Sequence, residues 1–251
     1  MLLTVLGCSG SVPGPDSPAS AYLVRSAHTC VVLDLGNGSF GALQRYIDPG
    51  DLDAVILSHL HPDHCADVSA LTVYRRYGTS PRRAPLALHG PSQSADRLSA
   101  AFAADAAERA RTDLSDVYDF RPFTGPVRIG ELELRTARVD HPCEAYALRV
   151  SHAGRSLAYS GDTGPCDALA ELAAGADVLL AEASWPDRAD NPRGVHLSGR
   201  DAGRAAAAAG VGRLLITHVP PWTDADQMLA EAKSAFDGPI DLARAATDYH
   251  I

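Results

Sequence analysis

Ser58-His59-Leu60-His61-Pro62-Asp63-His64 carries three imidazoles and a carboxylate within six positions. It follows the apolar run Ala54-Val55-Ile56-Leu57, which reads as a buried strand. Four metal-type ligands therefore lie on the loop leaving a strand end. Pro62 disfavours helix here, and in extended chain His59 and His61 point the same way. That spacing suits one metal ion, with Asp63 and His64 turned towards a second. Imidazole nitrogen suits zinc and carboxylate oxygen also accepts manganese or iron, so these four ligands leave the metal open.

The elements around this stretch are those of an α/β chain. Residues 2–6 read as a first strand, followed at 7–18 by a loop too rich in glycine and proline for helix or strand. That loop is either an ordinary long turn or backbone passing close to a site. Residues 21–24 and 30–33 read as a strand pair ending at Asp34, which either supports the metal loop from behind or forms a turn. A short helix is expected at 42–46, a longer one at 66–77 closing at Gly78, and a third across alanine-rich 91–110, with Pro91 near its start. Residues 117–150 turn to β alternation, broken at His141-Pro142.

In the second half, strands at 156–160, 177–181 and 214–217 lead to Asp162, Glu182 and His218. Helices intervene at 166–174, at 198–209 with Ser198 as N-cap and Gly210 as stop, and at 224–236. Every candidate ligand falls at a strand end or just beyond it, where open α/β sheets carry their sites.

Composition bounds the function classes. With 251 residues, 46% hydrophobic and 21% charged, the chain can bury one large α/β core, and a single domain spanning 1–251 is expected. A net charge of −9 opposes any broad grip on nucleic-acid backbone. Arg75, Arg76, Arg82 and Arg83 form the one concentrated basic patch, either a phosphate contact or a solvated face. The first residues lack a basic start and break at Gly7, which indicates a strand and not a signal peptide; no apolar segment is long enough to span a membrane. Five scattered cysteines fit reduced thiols in a cytoplasm. Cys65 adjoins a ligand, though core packing is the commoner fate of such thiols.

Taken in order, His59, His61, Asp63, His64, His141, Asp162 and His218 resemble the metal-binding series of the metallo-β-lactamase fold. The resemblance implies a four-layer αββα sandwich built from two related halves. It assigns His59, His61 and His141 to one divalent ion, Asp63, His64 and His218 to another, and Asp162 to both. Zinc is the favoured metal, with manganese or iron as alternatives. Two such ions ~4 Å apart would acidify a bridging water and clamp a phosphoryl group for in-line attack. Asp162 stands where members that hydrolyse β-lactams often carry cysteine, which points away from lactam chemistry.

Within this fold the chain is similar to the branch shared by ribonuclease Z, the transfer RNA 3′-processing endonuclease, and cyclic-nucleotide phosphodiesterases. The likeness rests on Leu6-Gly7-Cys8-Ser9-Gly10-Ser11, Glu182-Ala183-Ser184 and His196-Leu197-Ser198. It implies that His196 donates a proton to the leaving oxygen and Glu182 orients it, with Asp63 both ligand and catalytic residue. Ribonuclease Z usually carries a long arm for tRNA between the third histidine and the bridging aspartate. Here only 142–161 separate His141 from Asp162, and two strands and a turn account for them. Residues 14–20, 159–164 and 217–222 resemble actinobacterial cyclic-nucleotide phosphodiesterases of this fold. The expected substrate is therefore a small phosphodiester, a 3′,5′-cyclic nucleotide, and not nucleic acid; the family also implies a homodimer. Trp185, Trp222 and Tyr74 either stack on a base or pack internally. A tRNA endonuclease and a metal-bound regulatory protein without turnover are the alternative readings.

Overall fold

The computed structural model describes residues 1–78 and 84–251, so Arg82 and Arg83 of the basic patch lie outside the described residues. The first half supplies β1 (Leu2–Gly7), β2 (Ala21–Arg25), β3 (Cys30–Leu33), α1 (Ser39–Leu43), β4 (Ala54–Ile56), α2 (Pro62–Cys65), α3 (Val68–Tyr77), β5 (Leu86–Gly90), α4 (Ser94–Phe102), α5 (Ala106–Arg109) and β6 (Tyr118–Pro122). The second supplies β7 (Val127–Ile129), β8 (Leu132–Arg138), β9 (Tyr146–His152), β10 (Arg155–Tyr159), α6 (Asp167–Ala173), β11 (Val178–Glu182), α7 (Gly199–Ala209), β12 (Leu214–Thr217), α8 (Ala225–Lys233), β13 (Ile240–Leu242) and β14 (Thr247–His250).

Among the described residues the strands form two seven-stranded sheets, ordered β14-β1-β2-β3-β4-β5-β6 and β13-β12-β11-β10-β9-β8-β7. Each sheet is antiparallel on one side and parallel on the other: β3 to β6 run parallel, as do β10 to β13. The sheets pack face to face. Leu3, Val5, Tyr22, Val24, Leu33 and Ile56 meet Leu134, Leu148, Val150, Leu157, Tyr159 and Leu180 between them.

Side-chain alternation sends the intervening residues outwards. Leu6, Leu23, Val32 and Val55 pack under Leu43 of α1, Val68 and Leu71 of α3 and Leu98 of α4. Ala158, Leu179, Ala181 and Ile216 pack under α6, α7 and α8. Strands covered on both faces read as unbroken apolar runs, which is what the sequence shows at 54–57 and 178–181. This is the αββα sandwich.

The boundaries of α7 follow from its ends. The Ser198 hydroxyl and the Asp201 side chain form a reciprocal capping box, and Gly210 closes the helix at φ 60°. Such a cap stabilises a helix by about 0.5–2 kcal/mol.

Two local expectations are corrected. Pro62 does not keep the metal loop extended, because it occupies the first position of α2, where its missing N–H costs nothing. Asp63 and His64 therefore sit on a helical turn. Residues 91–110 hold two helices and not one: α4 ends at Phe102, and Asp105 caps α5 by accepting the Glu108 amide. The segment after α8 adds β13 and β14, too short and too exposed to alternate visibly. Arg76 is paired with Asp116, and Arg75 donates to the Ala84 carbonyl, so both are engaged within the chain. All five cysteines are unpaired. Among the described residues no helix is long and apolar enough to cross a membrane.

Candidate metal centre

The parallel strands β3, β4, β10, β11 and β12 end on one rim, and each delivers a polar residue there. Asp34 follows β3, His59 follows β4, Asp162 follows β10, Glu182 ends β11 and His218 follows β12. Asp34 and His218 adopt φ of 55° and 54°, the left-handed region that non-glycine residues avoid. Backbone strain of this kind clusters at functional sites. His61 and α2 complete the rim from the first half, and His141 and His196 arrive on loops.

The seven candidate ligands fall into two clusters that share Asp162. In the first, His61 Nδ1 lies 3.0 Å from His59 Nε2 and 3.2 Å from His141 Nε2, while Asp162 Oδ2 lies 3.7 Å from His59 Nε2. In the second, His218 Nε2 lies 3.1 Å from both His64 Nε2 and Asp63 Oδ2, and Asp162 Oδ1 lies 3.1 Å from His64 Nε2. Zinc–nitrogen bonds of about 2.0–2.1 Å in a tetrahedron would set ligand atoms about 3.3 Å apart. The observed separations have that scale.

Hydrogen bonding behind the rings decides which nitrogens carry lone pairs. The Asp34 carboxylate accepts from the Ser58 hydroxyl at 2.7 Å, so the Ser58 oxygen must accept from Nδ1–H of His59 at 3.1 Å. Asp34 also accepts from His64 Nδ1 and Tyr159, each at 2.8 Å. The Ser184 hydroxyl donates to Glu182 Oε2 and accepts from His218 Nδ1, and the Val195 carbonyl accepts from His141 Nδ1. His59, His64, His141 and His218 are thereby arranged to present Nε2 lone pairs inwards. Lone pairs facing one another across about 3 Å repel unless a cation lies between them.

Asp162 carries the same message. Its Oδ1, although buried and close to His64, accepts no hydrogen bond among the described residues. Burial opposes the charged form of Asp162, but His218, His64 and His59 overcome it and hold the carboxyl well below its usual range. Burial likewise opposes ionisation of Asp63, and His218 and His64 overcome it. Burial keeps His59 and His141 neutral, as ligands must be. Burial also opposes charge on His64, but Asp162 and Asp34 outweigh it and raise this ring well above its usual value, so without an ion a proton supplies the missing positive charge. Donor set, spacing and orphaned oxygen together fit divalent metal ions.

His196 belongs to neither of these two clusters, and forms a third donor group with Glu182 and His218 that does not include Asp162. Its Nδ1 is 2.9 Å from Glu182 Oε1 and 3.8 Å from Asp162 Oδ2. Burial disfavours its cationic form, yet the Glu182 carboxylate raises its pKa to about 9. Trp185 meets the His196 ring edge-on at 5.0 Å. Tyr74 instead touches Phe40 and hydrogen-bonds Asp48, away from the rim. Cys65 donates weakly to the Leu60 carbonyl and joins no ligand cluster.

The structure thus brings together every residue expected at the site: His59, His61, Asp63, His64, His141, Asp162, His218, Glu182 and His196. Of the two readings of Asp34 it selects support from behind the metal loop. Sequence reasoning gave no role to Ser58, Ser184 or the Val195 carbonyl, though each lies within two positions of a residue it did select. It also left open the loop at 7–18. That loop does approach the site: the Ser11 amide lies 3.4 Å from His218 Nε2, and a side chain at Gly10 would strike the His218 carbonyl at 2.3 Å.

Residues 30–219 match the family described as the beta-lactamase superfamily domain. The chain belongs to this superfamily. The superfamily chain is 52% identical to the uncharacterized protein ML1173 of Mycobacterium leprae, over 99% of this chain and 88% of that one. It is 33% identical to the ribonuclease Z of Mycobacterium marinum, over 96% of this chain and 95% of that one. The crystal structure of the metallo-β-lactamase fold protein YhfI from Bacillus subtilis superposes with a TM-score of 0.86 at 28% identity, covering 99% of this chain and 98% of that one.

Proposed function

We propose that the protein is a dinuclear metal-dependent phosphodiesterase acting on a small phosphodiester, a 3′,5′-cyclic nucleotide. One observation carries the reading: two ligand clusters share Asp162, and the His196–Glu182 pair abuts that same carboxylate. His59, His61, His141 and Asp162 would hold one ion, and Asp63, His64, His218 and Asp162 the other. When bound, the ions supply Lewis-acid activation of water and neutralise charge on the phosphoryl oxygens. Zinc suits this nitrogen-rich set best, with manganese or iron as alternatives.

The chain's own residues supply the rest. Asp63, held ionised, adds a fixed negative charge beside His64 and His218. His196 engages Glu182 through Nδ1, which leaves Nε2 to carry a proton. With a pKa raised to about 9, it is protonated at neutral pH and can deliver that proton to the departing ribose 3′-oxygen. A poor leaving group needs such a donor.

A tRNA 3′-endonuclease is the second reading, favoured by the 33% identity to a ribonuclease Z. Between His141 and Asp162, however, β9 and β10 join through the two-residue turn Ala153-Gly154, both at positive φ as a tight hairpin requires. This supports a small substrate, as does the net charge of −9. The test is to incubate metal-loaded protein with a panel of cyclic nucleotides and a precursor tRNA. Metal-dependent release of nucleoside 5′-monophosphate is expected; cleavage of the tRNA alone overturns the proposal.

A further inference from the structure

Among the described residues the exposed large apolar side chains are Val12, Val73, Tyr77 and Trp222, and two of these lie on loops that reach the metal centre. Val12, 41% exposed, directly follows Ser11, whose amide approaches His218. Trp222, 68% exposed, follows His218 by four positions, through Val219-Pro220-Pro221.

Both loops are stiff and knitted together. Ser9 bridges Val219, the Gly10 amide donates to the Val219 carbonyl at 3.2 Å, and the Ser9 hydroxyl donates to the Val12 carbonyl at 2.7 Å. Consecutive prolines fix φ ahead of Trp222, the Thr223 amide closes a turn on the Pro220 carbonyl, and the Thr223 hydroxyl donates to the Ser184 carbonyl. A side chain added at Gly14 would touch Pro221 at 3.5 Å, so the loops abut.

A braced loop that carries an exposed indole at the edge of a site orders little backbone when a flat ring stacks on that indole. Of the other candidate stacking rings, Trp185 already packs edge-on against His196 and Tyr74 is taken up by Phe40 and Asp48 away from the rim.

We propose that Trp222 is the stacking platform for the heterocyclic base of the substrate, on a loop that abuts the loop bearing Val12. This inference rests on the phosphodiesterase reading and adds to it the feature that makes the site prefer nucleotides to other phosphodiesters. Stacking is sequence-tolerant because every base has a π-face, so the platform selects for a base without selecting which one.

Two measurements test it. Trp185 and Trp222 are the only tryptophans in the chain, so in metal-loaded Trp185→Phe protein the emission reports Trp222 alone. Titration with adenosine 5′-monophosphate should quench it, and ribose 5-phosphate should not; equal quenching by both, or by neither, overturns the proposal. In parallel, kcat/KM is compared for 3′,5′-cyclic AMP and for base-free ribose 3′,5′-cyclic phosphate. Their ratio should fall roughly 5- to 150-fold in Trp222→Ala, the range that base–aromatic stacking covers. It should hold in Tyr77→Ala, which alters an exposed aromatic on α3. An unchanged ratio in Trp222→Ala overturns the platform. If wild-type protein hydrolyses neither cyclic phosphate, the phosphodiesterase reading fails, and the quenching result still decides the platform.

Discussion

Glu182 holds His196 by a 2.9 Å hydrogen bond from Nδ1 to Oε1. Its second oxygen accepts the Ser184 hydroxyl, which in turn faces His218 Nδ1 at 2.9 Å. One buried carboxylate therefore orients both the proton donor and a candidate metal ligand. Glu182→Gln keeps an oxygen for one of these contacts and removes the negative charge that raises His196. The acid form of His196 is lost as pH rises through its pKa, so lowering that pKa moves the alkaline limb of kcat to lower pH. A pH–rate profile checks the direction; an unmoved limb would show that another group sets it.

His196→Ala removes the donor itself. Because His196 lies outside both ligand clusters, the variant is expected to keep its metals while kcat on a cyclic nucleotide falls by roughly 10²–10⁴-fold. A nitrophenyl phosphodiester departs as an acidic phenol and needs little protonation, so its loss should be much smaller. Similar losses on both substrates would move His196 from proton donation to substrate positioning.

Metal removal probes the centre as a whole. Elemental analysis should find close to two divalent ions per chain, and chelation should abolish hydrolysis and lower the melting temperature. Binding should also release protons, since without an ion Asp162 and Asp34 hold His64 above its usual pKa against the effect of burial. Affinity then rises with pH. Full activity in metal-free protein is the result that defeats this account.

How much of this centre was legible depended on whether the signal was local. The ligands at 59–64 announce themselves by density, and Asp162, Glu182 and His218 by following apolar strand-length runs. Ser198 and Gly210 marked both ends of α7 for the same reason: a cap is written in one or two residues. Pro62 misled because a proline that blocks a helix interior also begins one. β13 escaped because it is three residues long and poorly buried, and β14 because its partner lies far off in sequence: it closes against β1 across nearly the whole chain. Ser58 and Ser184 were in view yet given no role, since a serine's proton direction depends on carboxylates that only the fold brings near.

Asp34 gathers more of this support than any ligand does, and its replacement gives the sharpest test of the arrangement. Its Oδ1 accepts the Ser58 amide, and its Oδ2 accepts the Ser58 hydroxyl, His64 Nδ1 and Tyr159, all within 2.8 Å. One carboxylate thus steers His64 directly and His59 through Ser58, which places a hand on both clusters. An asparagine in its place would tolerate the φ of 55° as well as aspartate does, so the backbone need not move. The amide nitrogen, however, would face donors where Oδ2 accepted three of them, and rotating the amide merely transfers the conflict to the Ser58 N–H. Asp34→Asn is therefore expected to fold, by circular dichroism, while affinity for both ions falls by roughly 10- to 100-fold in competition with a chelator. Tyr159→Phe removes one donor without adding a conflict and should lose far less. Wild-type affinity at both sites in Asp34→Asn would mean that the rings are held by packing alone, and that the hydrogen bonds behind them do not tune the centre.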